Sequence, residues 1–128
     1  MKANFLCPNC RSYLNVGKNI VVVVKNANGD KGILLLSIQL GDYKIKKHAN
    51  FDIEDDEIIK IYCPSCSKSI KHDSVYDNIY KILMQDEEDQ EYEILFSGIY
   101  GERCTYQIRG CKVSSFGEDA GKYLDLTI

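Results

Sequence analysis

The chain has no tryptophan, two prolines and two histidines among its 128 residues. It also has no long apolar run. The longest, residues 20–24 and 33–36, fall far short of the roughly 20 residues a membrane helix needs. The opening MKANFLCPNC offers one lysine and a three-residue apolar run, which is no secretory core. Nor does Cys7 follow the long apolar stretch that precedes a lipoprotein cysteine. These absences argue against a membrane and point to the cytoplasm. No Ser-His-Asp set is visible. Gly29 and Gly32 sit in a hairpin signal rather than before a helix, so no phosphate-binding loop is present. No linker rich in Gly, Ser or Pro divides the chain, and a single domain over residues 1–128 is expected. An apolar fraction of 45%, with nine Tyr and four Phe, is enough to build a core and excludes disorder.

Charge is unevenly spread. Residues 1–50 hold eight Lys/Arg and two Asp, a net +6. Residues 51–128 hold eight Lys/Arg and seventeen Asp/Glu, a net −9, which leaves −3 for the whole. A global basic footprint for nucleic acid is therefore absent. A local one, built from Lys18, Lys25, Lys31, Lys44, Lys46 and Lys47 with Tyr13 and Tyr43, is the alternative. The simpler reading is two solvated faces that complement each other within one fold or one dimer.

Six cysteines are an even number, but cytosolic thiols are kept reduced. Four of them form two C-P-x-C units, Cys7-Pro8-Asn9-Cys10 and Cys63-Pro64-Ser65-Cys66. Such a pair reads as metal ligation. Two residues between cysteines put both sulfurs on one side of a tight turn, where backbone N–H groups can point at the first thiolate. Proline after the first cysteine presets φ and strands no N–H of its own. Two facing turns complete the four-thiolate tetrahedron that Zn²⁺ favours. Cys7, Cys10, Cys63 and Cys66 are therefore the expected zinc ligands, and the zinc is structural because four thiolates leave no open position. With four thiolates and one Zn²⁺ the net charge becomes −5. The 52 residues between Cys10 and Cys63 compare with about 15 to 20 in a compact ribbon. Closing the longer loop costs about 1 kcal/mol more, against zinc binding on the order of 10 kcal/mol.

Each unit belongs to a longer internal match, residues 5–14 with 61–70. Two apolar residues precede each first cysteine, and an aliphatic residue follows four positions after each second one. Around these hairpins the pattern predicts a mostly-β chain with at most one or two short helices. Residues 20–25 run into the hairpin signal Asn28-Gly29 and return over 32–40. Residues 43–47, 58–62 and 103–109 alternate as further strands, and 52–57 form a solvated acidic link. Residues 73–79 carry a capping residue and an apolar pair, which suits a helical turn or two. Residues 79–86 fit either a helix or, preferably, the first strand of a hairpin that turns at 86–89 and returns through Tyr92, Ile94 and Phe96. Glycines break the C-terminal third into short hairpin strands.

The two knuckle segments, roughly residues 4–15 and 60–72, resemble zinc-ribbon and rubredoxin-like knuckle proteins. One departure is that such knuckles often carry glycine after the second cysteine, whereas Arg11 and Ser67 stand here. The whole chain also resembles a small bacterial zinc-ribbon family to which no activity is attached. A site closed by four thiolates performs no chemistry, so the expected function is a zinc-stabilised binding or structural module, with a protein partner or another copy of itself. The alternatives are a nucleic-acid-binding ribbon and a rubredoxin-like electron-transfer protein with Fe in the same site. No enzyme activity is expected.

Four further side chains bear on the site. His72, six residues past Cys66, offers a substitute ligand, against the plainer reading of both His48 and His72 as surface residues. Cys104 and Cys111 offer a second half-site, a redox pair or two inert thiols. They are seven positions apart, so on one uninterrupted strand they face opposite ways. Cys104 shares a face with Tyr106 and Ile108. The expectation is a buried, inert Cys104, with neither residue a zinc ligand nor part of a disulfide.

Overall fold

The β-branched and aliphatic runs become strands, and the structure, a computed structural model that describes residues 3–127, is built almost wholly from them. Ten strands follow in chain order: β1 (Asn4–Leu6), β2 (Asn15–Val16), β3 (Asn19–Lys25), β4 (Lys31–Ser37), β5 (Ile45–Lys47), β6 (Lys60–Tyr62), β7 (Ile79–Gln85), β8 (Glu91–Ser97), β9 (Thr105–Arg109) and β10 (Lys112–Phe116). A short 3-10 helix, Ala120–Thr127, kinked at Tyr123, closes the described chain. The strands form two antiparallel sheets. Sheet A runs β1-β7-β8-β9-β10. Sheet B runs β2-β3-β4-β5, and β6 also pairs with β3. No helix among the described residues is long and apolar enough to cross a membrane.

The two sheets are copies of one pattern. Moving every residue of β3, β4 and β5 forward by 60 positions reproduces the register of β7, β8 and β9. Val23 opposite Ile33 becomes Leu83 opposite Glu93, and Leu34 opposite Lys47 becomes Ile94 opposite Gln107. The hairpin turns match as well. Asn26 Oδ1 accepts the N–H groups of Asn28 and Asp30, and Asp86 Oδ1 accepts those of Glu88 and Gln90. Ser37 Oγ caps Gln39 N–H as Ser97 Oγ caps Ile99 N–H, each at 3.1 Å. The knuckles repeat at a shift of 56, from Cys7 to Cys63. The difference of four is the extra length of residues 71–79 over residues 15–19.

The first strand of each half is exchanged. β1 of the first half pairs with β7 of the second, and β6 of the second half pairs with β3 of the first, in equivalent registers. Each knuckle hairpin then continues onto the opposite sheet. The first runs from β1 on sheet A to β2 on sheet B, and the second from β6 on sheet B to the Lys71–Tyr80 bridge on sheet A. Both hairpins therefore straddle the seam between the sheets.

The inward side chains make one core of matching pairs. Phe5 and Ile61, Leu14 and Ile70, Val22 and Ile82, Val24 and Met84, and Leu34 and Ile94 are all buried in it, together with Cys7 and Cys63. Burying such side chains contributes about 1.5–3 kcal/mol each. Gly32 breaks the pairing with Tyr92. A Cβ there would sit 2.6 Å from the Phe51 ring, so the glycine makes room for Phe51 to fill that place.

Three expectations need correction. Residues 73–79 form no helix. Ser74 Oγ accepts the Tyr76 N–H at 3.2 Å, a local bond that competes with helical ones, and Ile79 is drawn into β7. The one helical segment among the described residues lies instead at Ala120–Thr127, in a stretch whose glycines suggested short strands. The ambiguous residues 79–86 resolve as the favoured hairpin, β7–β8. The return strand expected over 32–40 ends at Ser37.

Candidate metal centre

Each knuckle is held by the same backbone bonds. Cys7 N–H donates to Ser12 O at 3.0 Å and Arg11 N–H to Cys7 O at 2.9 Å. In the second, Cys63 N–H donates to Lys68 O and Ser67 N–H to Cys63 O, both at 3.0 Å. These turns require left-handed backbone after the second cysteine. Arg11 (φ 61°) and Ser67 (φ 64°) adopt it despite their side chains. The absent glycines thus leave the knuckle geometry intact.

The expected N–H to sulfur contacts are present. Asn9 N–H points at Cys7 Sγ at 3.3 Å, and Ser65 and Cys66 N–H point at Cys63 Sγ at 3.2 and 3.4 Å. The knuckles also touch each other. Asn9 Nδ2 donates to Ser69 O at 3.1 Å, and the hydroxyls of Ser12 and Ser65 are 3.1 Å apart.

The sulfurs of Cys7, Cys10, Cys63 and Cys66 all lie within 4.8 Å of one another. Cys7 to Cys66 and Cys10 to Cys63 are each 3.8 Å. The vertices of a tetrahedron with metal–sulfur bonds of about 2.3 Å are about 3.8 Å apart. The donor set is four thiols, with two buried first cysteines, a half-buried Cys66 and an exposed Cys10. Burial pushes the Cys7 thiol up to about 12, and a cation beside it would favour the thiolate. The Ser12 hydroxyl and N–H hold the Cys10 thiol down at about 6. The residues fit one soft, tetrahedral cation.

The remaining candidates stand apart. His48 is exposed and its Nδ1 accepts the Asn50 N–H. His72, its pKa lowered by burial, is outside the sulfur cluster. Cys104 is buried, and burial pushes its thiol up to about 11. Cys111 is exposed at the tip of the β9–β10 hairpin, where Gly110 (φ 59°) turns the chain. Strand β9 lies between them, and both thiols are free.

The lysine set is divided. Lys25, Lys31 and Lys46 lie on the outward face of sheet B, opposite in alternation to buried Val24 and Leu34. Lys47 Nζ instead donates to Phe51 O, and the Tyr43 hydroxyl is bound to Thr105 and the Phe116 carbonyl. A cavity of about 280 Å³ lies between the sheets, walled by pairs such as Leu36 and Phe96, and none of the four clustered cysteines lines it.

No protein-family model, no curated protein and no solved structure matches the chain. The likeness to zinc-ribbon and rubredoxin-like knuckles therefore rests on the two hairpins and their four sulfurs.

Proposed function

We propose that the protein is a zinc-stabilised structural module that works by binding another protein. One observation carries the metal: two thiols from each half meet at tetrahedral spacing, in knuckles whose N–H groups face the sulfurs. Cys7, Cys10, Cys63 and Cys66 would supply all four ligands, leaving no position for substrate or water, so the ion would act on the fold alone. Each hairpin crosses between the sheets, so a metal joining the two ties the seam. A reducing cytoplasm suits the free thiols. The test is a thermal melt of the purified protein with and without a strong chelator. Zinc removal should lower the melting temperature by on the order of 10 °C or more. An unchanged melt after complete removal would contradict a structural role.

Iron in the same site is the second reading. The left-handed φ at Arg11 and Ser67 removes the steric objection that the missing glycines raised. The visible absorption of the protein as purified separates the two metals, because a ferric tetrathiolate is coloured and Zn²⁺ is not.

A further inference from the structure

The halves differ in what covers the outer faces of their sheets. On sheet A, outward Ile79, Leu95 and Tyr106 are buried together with Ala120 and Tyr123 of the C-terminal turn. Tyr76 meets the Tyr123 ring edge-on at 4.8 Å, Asn78 Nδ2 donates to the Tyr123 hydroxyl at 2.8 Å, and the Tyr106 hydroxyl bonds the Ala120 carbonyl. Tyr76 and Asn78 belong to the longer 71–79 stretch, and the turn lies beyond the repeat. The first half has neither addition.

Its outward face carries Val21 opposite Leu35, and Val23 opposite both Ile33 and Tyr62. Ile33 is 55% exposed, and the other four are only half-buried. Beside these apolar rows, Lys31, Lys25 and Lys60 stand in register across β4, β3 and β6, with Lys46 opposite Leu35. Like charges directly across strands destabilise a sheet. None of these lysines pairs with a carboxylate among the described residues. The row equivalent to Lys31-Lys25-Lys60 on sheet A is Glu91, Gln85 and Asn4.

We infer that the outer face of sheet B binds an acidic protein segment carrying an aromatic or aliphatic anchor. This rests on the reading of the protein as an interaction module and names the surface that does the work. The chain holds its own example of such a cover. Ala120 and Tyr123 cover the apolar outer face of sheet A. An acidic segment on sheet B would neutralise the lysine row while its anchor covers Val23 and Ile33. A second copy placed face to face would set lysines against lysines. Nucleic acid would meet the lysines but leave the aliphatic rows wet, with Tyr62 alone among these residues able to stack.

The test uses the full zinc-loaded chain and fluorescent ten-residue peptides in anisotropy titrations. One set is acidic with a central Tyr, Phe or Leu. Control sets replace the acidic residues with Lys, or the anchor with Ala. The acidic anchored peptides should bind, more weakly as salt rises, and Ile33→Asp or Lys25→Glu should each weaken binding at least tenfold while the far-ultraviolet circular dichroism spectrum stays that of the wild type. Binding that ignores peptide charge, or that survives both substitutions, overturns this surface while leaving an interaction module standing. Binding of no peptide set overturns the module reading with it. Two other results also overturn the proposal: a single-stranded oligonucleotide that binds through Lys25, and a dimer by sedimentation that Ile33→Asp dissolves.

Discussion

Arg11 and Ser67 hold the same left-handed backbone but differ in what their side chains do. Arg11 makes a bidentate ion pair with Glu91 on β8, at 3.2 and 2.7 Å, whereas the Ser67 side chain has no such partner among the described residues. A side chain in this region costs about 1–2 kcal/mol relative to glycine. Ser67→Gly should therefore stabilise the protein by about 1 kcal/mol, read as a higher denaturant midpoint, and Ser67→Val should lower that midpoint. Arg11→Gly relieves the same strain but loses the ion pair, so its gain should be the smaller. Equal gains at both sites would show that the pair contributes nothing. Cys104 supplies a second prediction at this scale. Its thiol is buried and its pKa is raised, so under native conditions a thiol reagent should label exposed Cys111 quickly and Cys104 slowly. Rapid stoichiometric labelling of Cys104 would contradict its burial.

Among the elements, the matched hairpins respond differently to acid. Asp86 accepts N–H bonds from Gln90 and Glu88, and these hold its pKa below the ordinary carboxylate value. A group with a depressed folded pKa stabilises the native state above its unfolded pKa of about 3.9 and loses that contribution as pH falls through the folded value. Asn26, in the equivalent turn, does not titrate. Hydrogen exchange should therefore show the Glu88 and Gln90 amides losing protection below about pH 4, relative to Asn28 and Asp30. Asp86→Asn should remove that difference, and equal acid sensitivity in the wild-type turns would refute the assignment. These elements also show what the sequence made legible. The knuckles stood out because cysteine is scarce and its spacing is dictated by ligand geometry. Strand β3 stood out through its β-branched run and Asn28-Gly29. The repeat of the sheets did not, because beyond inward apolar character the halves share few identities, Leu35 with Leu95 and Ser37 with Ser97 among them. At the 60-position shift β3 and β7 have no identical residue, and the turns Asn26–Asp30 and Asp86–Gln90 use different side chains for the same bonds. The helical reading of 73–79 failed because its spacing is equally that of a loop stitched by Ser74. The turn at Ala120–Thr127 packs through Ala120 and Tyr123 onto sheet A, a tertiary contact that no local pattern announces.

For the whole molecule, the exchange of β1 and β6 explains why the cysteines are so far apart in sequence. Each half contributes one knuckle, and the loop between Cys10 and Cys63 is the first sheet itself. Metal removal should loosen the seam before the sheets. In chelator, the amides of β1 and β6 should lose protection while the β3–β4 and β7–β8 hairpins keep theirs, because those hairpins are closed by their own turns and the apolar core. Uniform loss across all four elements would mean that the metal is not confined to the seam. The most direct test of the central claim is the metal content of the protein purified without added metal, set beside Cys7→Ser combined with Cys63→Ser. That double change removes one buried ligand from each half. The four-sulfur account predicts close to one equivalent of zinc per chain in the wild type and almost none in the variant. Full occupancy in the variant, or no bound metal in the wild type, would contradict it.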